Sequence, residues 1–267
     1  MDSFYNNVKR TLIGSTPTAE LVYSCTIILK QLVGSPTSSP TSASSSSPVS
    51  SSSSSSSSLS ASFFAATSPL PAAEKESNNI RIAYNNDLLC KKLVQMKVIL
   101  FGDVNTPVDD EKARELSKSF QQDGLMLLLI ENLQDLSFEV RRDTTSIFNR
   151  LFKKNTAKFV QYVFERFNFF ICRMVQYCRN PIVALNCGSM LRECVQHEEI
   201  GSLLLHSDML WLFFNSYVHS SDFDLAFDAI LTLRELLTSK ANKAAVAEVL
   251  DVRHAAIFKK YEVRRSF

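Results

Sequence analysis

The stretch IVALNCGSMLRECVQHE, residues 182–198, decides the fold because two other parts of the chain repeat its pattern. The segment FEVRRDTTSIFNRLFKK begins at residue 138 and FDLAFDAILTLRELLTS begins at residue 223, so the copies are spaced by 44 and then 41 residues. When the copies are aligned, three positions carry apolar residues in almost every copy. These positions are Val140, Ala184 and Leu225; then Ile147, Leu191 and, as the weaker match, Thr232; then Leu151, Val195 and Leu236.

Each copy also follows an apolar segment and a short turn. The preceding segments are LMLLLIENLQDLS from residue 125, FFICRMVQYCRNP from residue 169 and LWLFFNSYVHSSD from residue 210. A period of about 40 to 47 residues built from helices is the signature of armadillo and HEAT repeats. We therefore predict an all-α, armadillo/HEAT-like helical-repeat solenoid with a right-handed superhelical twist, whose neighbouring repeats share a continuous core and leave a concave groove.

The rest of the chain divides into three parts. Residues 1–34 read as a leading helical segment, because Thr16 followed by Pro17 is a good helix start. Residues 35–79 are mostly serine with several prolines and cannot bury enough apolar surface to offset the entropy of ordering, so we predict a disordered insertion. Residues 80–267 form the repeat domain, which begins with helices expected to end near Gly102 and Gly124.

Composition excludes several classes of function. The formal net charge is +2, with 29 Lys and Arg against 27 Asp and Glu, so a nucleic-acid partner is not expected. The sequence has no apolar run of about 18 residues, so no membrane span is predicted. The six cysteines lie singly within helical patterns, which favours a reducing compartment and a cytoplasmic protein.

Two cysteines and a histidine in the second copy raise the question of a thiol site. Helical spacing places Cys187 and Cys194 on one apolar stripe facing the core, and Gly188 between core positions indicates close approach of a neighbouring helix. A zinc site and a nucleophile formed by Cys194 with His197 are the alternatives. We expect no metal, no cofactor and no catalytic residue, because zinc ligands come in closer pairs and a reactive thiolate needs exposure.

The other side of each repeated helix is expected to line the groove and bind a protein partner. Polar groups there would fix register and apolar ones would supply affinity. A solvated helix face has much the same composition, and that alternative stays open. The positions considered are Arg142, Thr145, Asn149 and Lys153; Asn186, Ser189, Glu193 and His197; and Phe227, Ile230, Arg234 and Thr238. The predicted partner-binding residues are Arg142, Asn149, Asn186, Glu193 and Arg234.

Four motifs give the chain a family resemblance. PIVALNCGSMLREC from residue 181 is similar to the signature of the calcium-binding protein 39 family, also called mouse-protein-twenty-five-like scaffolds. MKVILFG from residue 96, DGLMLLLIENLQDLSFEVRRDTTSIFN from residue 123 and FDLAFDAILTLRELLT from residue 223 match in the same order. Together the matches cover about residues 86–262.

This resemblance implies an armadillo-like scaffold that is not an enzyme. Such proteins hold a STE20-type serine/threonine kinase or pseudokinase in an active-like state, within kinase networks of polarity, morphogenesis and energy sensing. The alternative is a peptide-binding adaptor that has lost kinase activation, because the family continues beyond the position of Phe267 and the solenoid is expected to be truncated there. Family contacts to the kinase correspond here to Ser239 with Lys240 and to residues 256–258, where the residue types differ. No small-molecule substrate is implied.

Overall fold

The computed structural model describes residues 17–33, 72–102, 107–154 and 156–262, and these residues form helices and turns without a strand. The prediction of an all-α helical-repeat solenoid is confirmed. The helices are α1 (Pro17–Val33), α2 (Ala72–Phe101), α3 (Asp110–Asp123), α4 (Leu125–Glu131), α5 (Phe138–Lys154), α6 (Thr156–Glu165), α7 (Arg173–Tyr177), α8 (Ala184–Cys194), α9 (Glu198–His206), α10 (Met209–Asn215), α11 (Phe223–Thr238) and α12 (Lys243–Glu262). A π-helical stretch, Asn168–Cys172, precedes α7, and 3-10 turns lie at Leu133–Asp135, Tyr217–His219 and Lys240–Asn242.

The ends of the early helices follow from local chemistry. Helix α2 ends at Gly102, whose φ of 75° is a left-handed conformation that glycine adopts without steric cost. Helix α3 is capped by Asp109, which accepts backbone hydrogen bonds from Glu111 and Lys112 at 3.0 and 3.2 Å, and it ends at Gly124 with φ 66°. The two predicted helix ends are therefore confirmed.

Helices α2, α5, α8 and α11, which we call the inner helices, stack in chain order. Each one packs against the next, and other helices pack on them, such as α7 on α8 and α10 on α11, while α9 packs on α12. This arrangement buries a core that runs through the stack, in which each repeat depends on its immediate neighbours.

The core includes the positions that repeat in the sequence. Around α5 it is rich in aromatic rings: Phe148 lies 4.9 Å from Phe152 and 5.8 Å from Phe159 between ring centroids. The single tryptophan, Trp211 on α10, packs against the core in the third repeat and lies 6.0 Å from Phe214. All nine aligned positions are buried: Val140, Ala184, Leu225, Ile147, Leu191, Thr232, Leu151, Val195 and Leu236.

The leading segment contributes to the same body. Helix α1 begins at Pro17 and buries Val22, Cys25 and Leu29 against α2, α3 and α4. Most of the predicted insertion 35–79 lies outside the described residues, and α2 begins within its last part at Ala72. The division of the chain at residues 34 and 79 stays a prediction.

The contact between α8 and α11 is close at Gly188. A Cβ built on Gly188 would overlap the carboxylate of Asp228 on α11. That carboxylate is held at 2.8 Å by the guanidinium of Arg192, which also donates to Thr232 Oγ1 at 2.9 Å. The glycine predicted to mark a close helix approach therefore does so, and the space is filled by the largely buried Asp228 carboxylate in its ion pair with the partly buried Arg192.

We predict that Gly188→Ala destabilises the fold by about 2 kcal/mol, although alanine has the better helix propensity, because the methyl group would displace the Asp228 carboxylate. Urea unfolding followed by circular dichroism measures the change.

The same substitution made in an Asp228→Ala background serves as the control for this explanation. There the overlap is gone, and Gly188→Ala should be neutral or stabilising by up to about 1 kcal/mol. An equal loss of stability in both backgrounds would show that Asp228 is not the cause.

Candidate protein-binding surface

Three side-chain pairs join α5 to α8 on the side opposite the core, which we call the exposed face of α5, α8 and α11. Each pair connects a position predicted for the groove on α5 with the groove position that lies about one turn earlier on α8. Asn186 Nδ2 donates to Thr145 Oγ1 at 3.0 Å, Asn149 Nδ2 donates to Ser189 Oγ at 3.1 Å, and Lys153 Nζ lies 2.9 Å from Glu193 Oε1.

The five predicted site residues fall into two groups. Asn149, Asn186 and Glu193 are half-buried and contact the neighbouring repeat through the pairs above. Arg142 and Arg234 are exposed. The structure thus brings the first three together, where they hold adjacent helices in register. A role of any of the five in binding a partner stays a prediction.

Sequence reasoning missed most of the apolar part of this face. The first residue of every repeated copy is apolar yet exposed: Phe138 by 63%, Ile182 by 56% and Phe223 by 77%. The repeat itself contained this signal, since the same position is apolar three times outside the shared core positions. Because these side chains are not needed for the core, they are free for contact with another molecule.

Helix α11 contributes three exposed apolar side chains to this face. Phe223 and Phe227 stack with ring centroids 6.0 Å apart and an interplanar angle of 8°, and Ile230 lies one turn further along the helix. Leu185 on α8 is also exposed. These four residues and Ile182 form what we call the apolar patch.

Charged groups lie beneath the face at equivalent positions of the first and third copies. Asp143 on α5 is paired with Lys97 of α2 at 2.7 Å, and Asp228 on α11 is paired with Arg192 of α8. Burial raises the pKa of Asp228, and the Arg192 guanidinium partly opposes that rise. Each of these pairs therefore links an inner helix to the one before it.

Metal binding and membrane insertion find no support in the described part of the chain. No group of three or more His, Cys, Asp or Glu side chains there is arranged to hold a metal ion. None of the helices described has both the length and the apolar character needed to span a bilayer.

Comparison with known proteins identifies the family of the chain. A family model described as Mo25-like matches residues 51–263. The chain belongs to the Mo25-like family. It is 35% identical over 175 residues to mouse (Mus musculus) "Calcium-binding protein 39-like", and this alignment covers 64% of the present chain and 51% of the relative. It is 33% identical over 192 residues to a "Mo25-like protein" of Schizosaccharomyces pombe, and this alignment covers 68% of the present chain and 57% of the relative.

A nematode relative, "MO25-like protein 2" of Caenorhabditis elegans, is 33% identical over 175 residues. This chain spans about half the length of the curated Mo25-like relatives it matches. Of the positions implied by the family resemblance, Ser239 is half-buried after α11 and Lys240 is exposed. The side chains of residues 256–258 lie outside the described residues.

In this Mo25-like chain the two thiols of the second copy pack in the core as predicted. Cys187 and Cys194 are fully buried, and burial raises the pKa of both thiols well above its usual value, so they stay protonated at neutral pH. His197 packs against the ring of Phe152 at 5.4 Å between centroids, and burial lowers its pKa. A protonated, buried thiol is a poor nucleophile and a poor metal ligand.

We predict that Arg192→Leu lowers the free energy of unfolding by about 3 kcal/mol near pH 7, because it leaves the Asp228 carboxylate buried without its counter-charge. The loss should shrink as the pH falls. The pKa of Asp228 is higher in the folded than in the unfolded protein, so ionisation of Asp228 destabilises the fold as the pH rises from the unfolded-state pKa through the folded-state pKa. Removing the guanidinium raises the folded-state pKa further and extends this pH range upward.

Arg234→Leu is the matched control, because Arg234 is exposed on the same face. Its cost should stay within about 0.5 kcal/mol at every pH. Urea titrations across the range from about pH 5 to about pH 7 compare the two variants. A cost for Arg192→Leu that does not change with pH would refute an ionised Asp228 as its cause.

We also predict that iodoacetamide labels the half-exposed Cys90 and Cys172 in the native protein while Cys187 and Cys194 react at least about a hundredfold more slowly, since they must wait for an opening of the fold. Peptide mapping by mass spectrometry gives the rates. Fast labelling of Cys194 in the folded state would restore the thiol-site hypothesis.

Proposed function

We propose that this chain is a non-enzymatic scaffold that binds a STE20-type serine/threonine kinase or pseudokinase along the exposed face of α5, α8 and α11, in the cytoplasm. Binding would favour the active-like conformation of that kinase in a signalling complex of the polarity, morphogenesis or energy-sensing kind. The proposal rests on membership of the Mo25-like family together with the surface described above. It requires no cofactor, metal or small-molecule substrate.

The apolar patch is the observation that carries the proposal. Binding energy in protein interfaces is concentrated in a few large apolar or aromatic anchors surrounded by polar contacts. Phe223, Phe227 and Ile230 offer such anchors on one helix, and Arg234 follows them on the same side. Polar side chains of α5 continue the surface toward Arg142.

The pairs between α5 and α8 make this surface suitable for holding a partner in one conformation. Asn149 with Ser189 and Lys153 with Glu193 fix side chains that would otherwise lose rotamer freedom on binding. A surface ordered in advance costs less to bind. We therefore assign Asn149, Asn186 and Glu193 a positioning role within the interface, with Arg142 and Arg234 as direct contacts.

Activation would follow from differential affinity. A scaffold shifts a kinase toward its active-like state only as far as it binds that state more tightly than the inactive one. A rigid surface extending over three repeats can discriminate in this way, because it is complementary to one arrangement of the partner's elements. The adaptor alternative differs only here, since it would bind without such a preference.

We predict that Phe227→Ser weakens binding to the kinase partner about tenfold or more, because it removes half of the stacked aromatic pair from the centre of the patch. The partner is first selected by pull-down from a panel of STE20-family kinases. The dissociation constants are then measured by biolayer interferometry, and kinase activity is assayed with and without the scaffold.

Phe169→Ser is the matched control, because Phe169 is similarly exposed, at 57% against 51% for Phe227, but lies in the π-helical stretch outside the inner helices. It should leave the affinity unchanged. Tight binding to a kinase without a rise in its activity would favour the adaptor. Equal effects of the two serine variants, or no binding to any kinase of the panel, would overturn the proposed site.

A further inference from the structure

Helix α2 has two apolar stripes on opposite sides. One stripe, which includes Leu89, Leu93 and Met96, is fully buried against the rest of the fold. The second stripe faces solvent. A helix that is apolar on both sides is expected to be covered on both. Within the described structure only the first side is covered.

The exposed stripe repeats every three and four residues in alternation. Its members are Ile80, Tyr84, Asp87, Lys91, Val94, Val98 and Phe101, and each of them is exposed. Steps of four, three, four, three, four and three residues are the heptad spacing of a helix that packs side by side with another helix. The stripe extends over about 30 Å of helix at 1.5 Å per residue.

Two opposite charges interrupt the stripe at its middle. Lys91 Nζ lies 2.6 Å from Asp87 Oδ2 on the same exposed side. Apolar residues stand on both sides of this pair, with Tyr84 before it and Val94 after it. A charged pair at the centre of an apolar stripe lowers the stability of the interface but selects its register and its partner.

We propose that a second copy of this chain covers the exposed stripe, with the two α2 helices packed antiparallel about a two-fold axis near residue 89. In this register Asp87 of each copy faces Lys91 of the other. Tyr84 faces Val94, and Ile80 faces Val98. The chain is then a homodimer in solution.

The sequence of the stripe singles out the second copy as occupant because the stripe is complementary to itself. A two-fold interface uses the same patch twice, so residue i must suit residue j and the reverse. The antiparallel register gives two opposite-charge contacts and four contacts between apolar side chains. A parallel register would instead oppose Asp87 to Asp87 and Lys91 to Lys91, which is unfavourable. This inference does not depend on the proposed kinase partner, which uses α5, α8 and α11.

The first experiment is sedimentation equilibrium of the full chain over about 1 to 100 µM, a range that detects dimers of micromolar affinity. We expect a dimer, and Val94→Glu should raise its dissociation constant about tenfold or more by placing an unpaired charge in the exposed stripe. Leu203→Glu is the matched control, because Leu203 on α9 is exposed to a similar degree, at 43% against 46% for Val94. Circular dichroism verifies that each variant is folded.

A charge exchange then tests the register. Asp87→Lys alone and Lys91→Asp alone each place like charges opposite one another and should weaken the dimer about tenfold. Mixing the two variants restores opposite charges at both contacts and should recover a heterodimer with the affinity of the wild type. The double exchange should likewise recover the homodimer.

A monomer at all concentrations would overturn the proposal. So would a dimer that Val94→Glu and Leu203→Glu affect equally, since the interface would then lie elsewhere. A dimer that Val94→Glu weakens but the single charge exchanges do not would overturn the antiparallel register.

Discussion

The close packing of each inner helix on the one before it is the constraint on which the rest of the structure depends. At α8 and α11 this packing is fixed by Gly188, which admits the Asp228 carboxylate, and by Arg192, which neutralises it. Buried ion pairs add little net stability because desolvation offsets their attraction, but removing one partner is costly. We infer that Asp143 with Lys97 and Asp228 with Arg192 act mainly on the register of α5 on α2 and of α11 on α8. The register of the inner helices in turn determines where the side chains of the exposed face lie relative to one another.

The fold class could be predicted from the sequence alone because equivalent positions of the three copies are all buried. Val140, Ala184 and Leu225 share one position, and all are buried, since every copy must fill the same space in the core. The same reasoning placed Cys187 and Cys194 inside. The hydrophobic period thus carries the architecture even where the residue types differ, as at Thr232.

The surface was harder to predict for a physical reason. Asn149 and Asn186 are polar residues of the kind found in binding surfaces, yet each bonds to a neighbouring repeat. No sequence pattern distinguishes a polar group that pairs within the fold from one that binds a partner. The exposed apolar residues Ile182 and Phe223 were not predicted, because one apolar stripe on each helix is enough to explain a packed core. Helix α2 shows the same limit, since its end near Gly102 was predicted and its exposed stripe was not.

The position of Trp211 makes the cooperativity of this stack observable. In a chain of repeats that contact only their neighbours, parts of the array can lose structure separately, and a single unfolding free energy is then not defined. Because the only tryptophan packs in the third repeat, its fluorescence reports on that repeat, whereas far-ultraviolet circular dichroism averages over every helix. Coincidence of the two signals during denaturation would mark the solenoid as one cooperative unit, and their separation would divide it into independently melting segments.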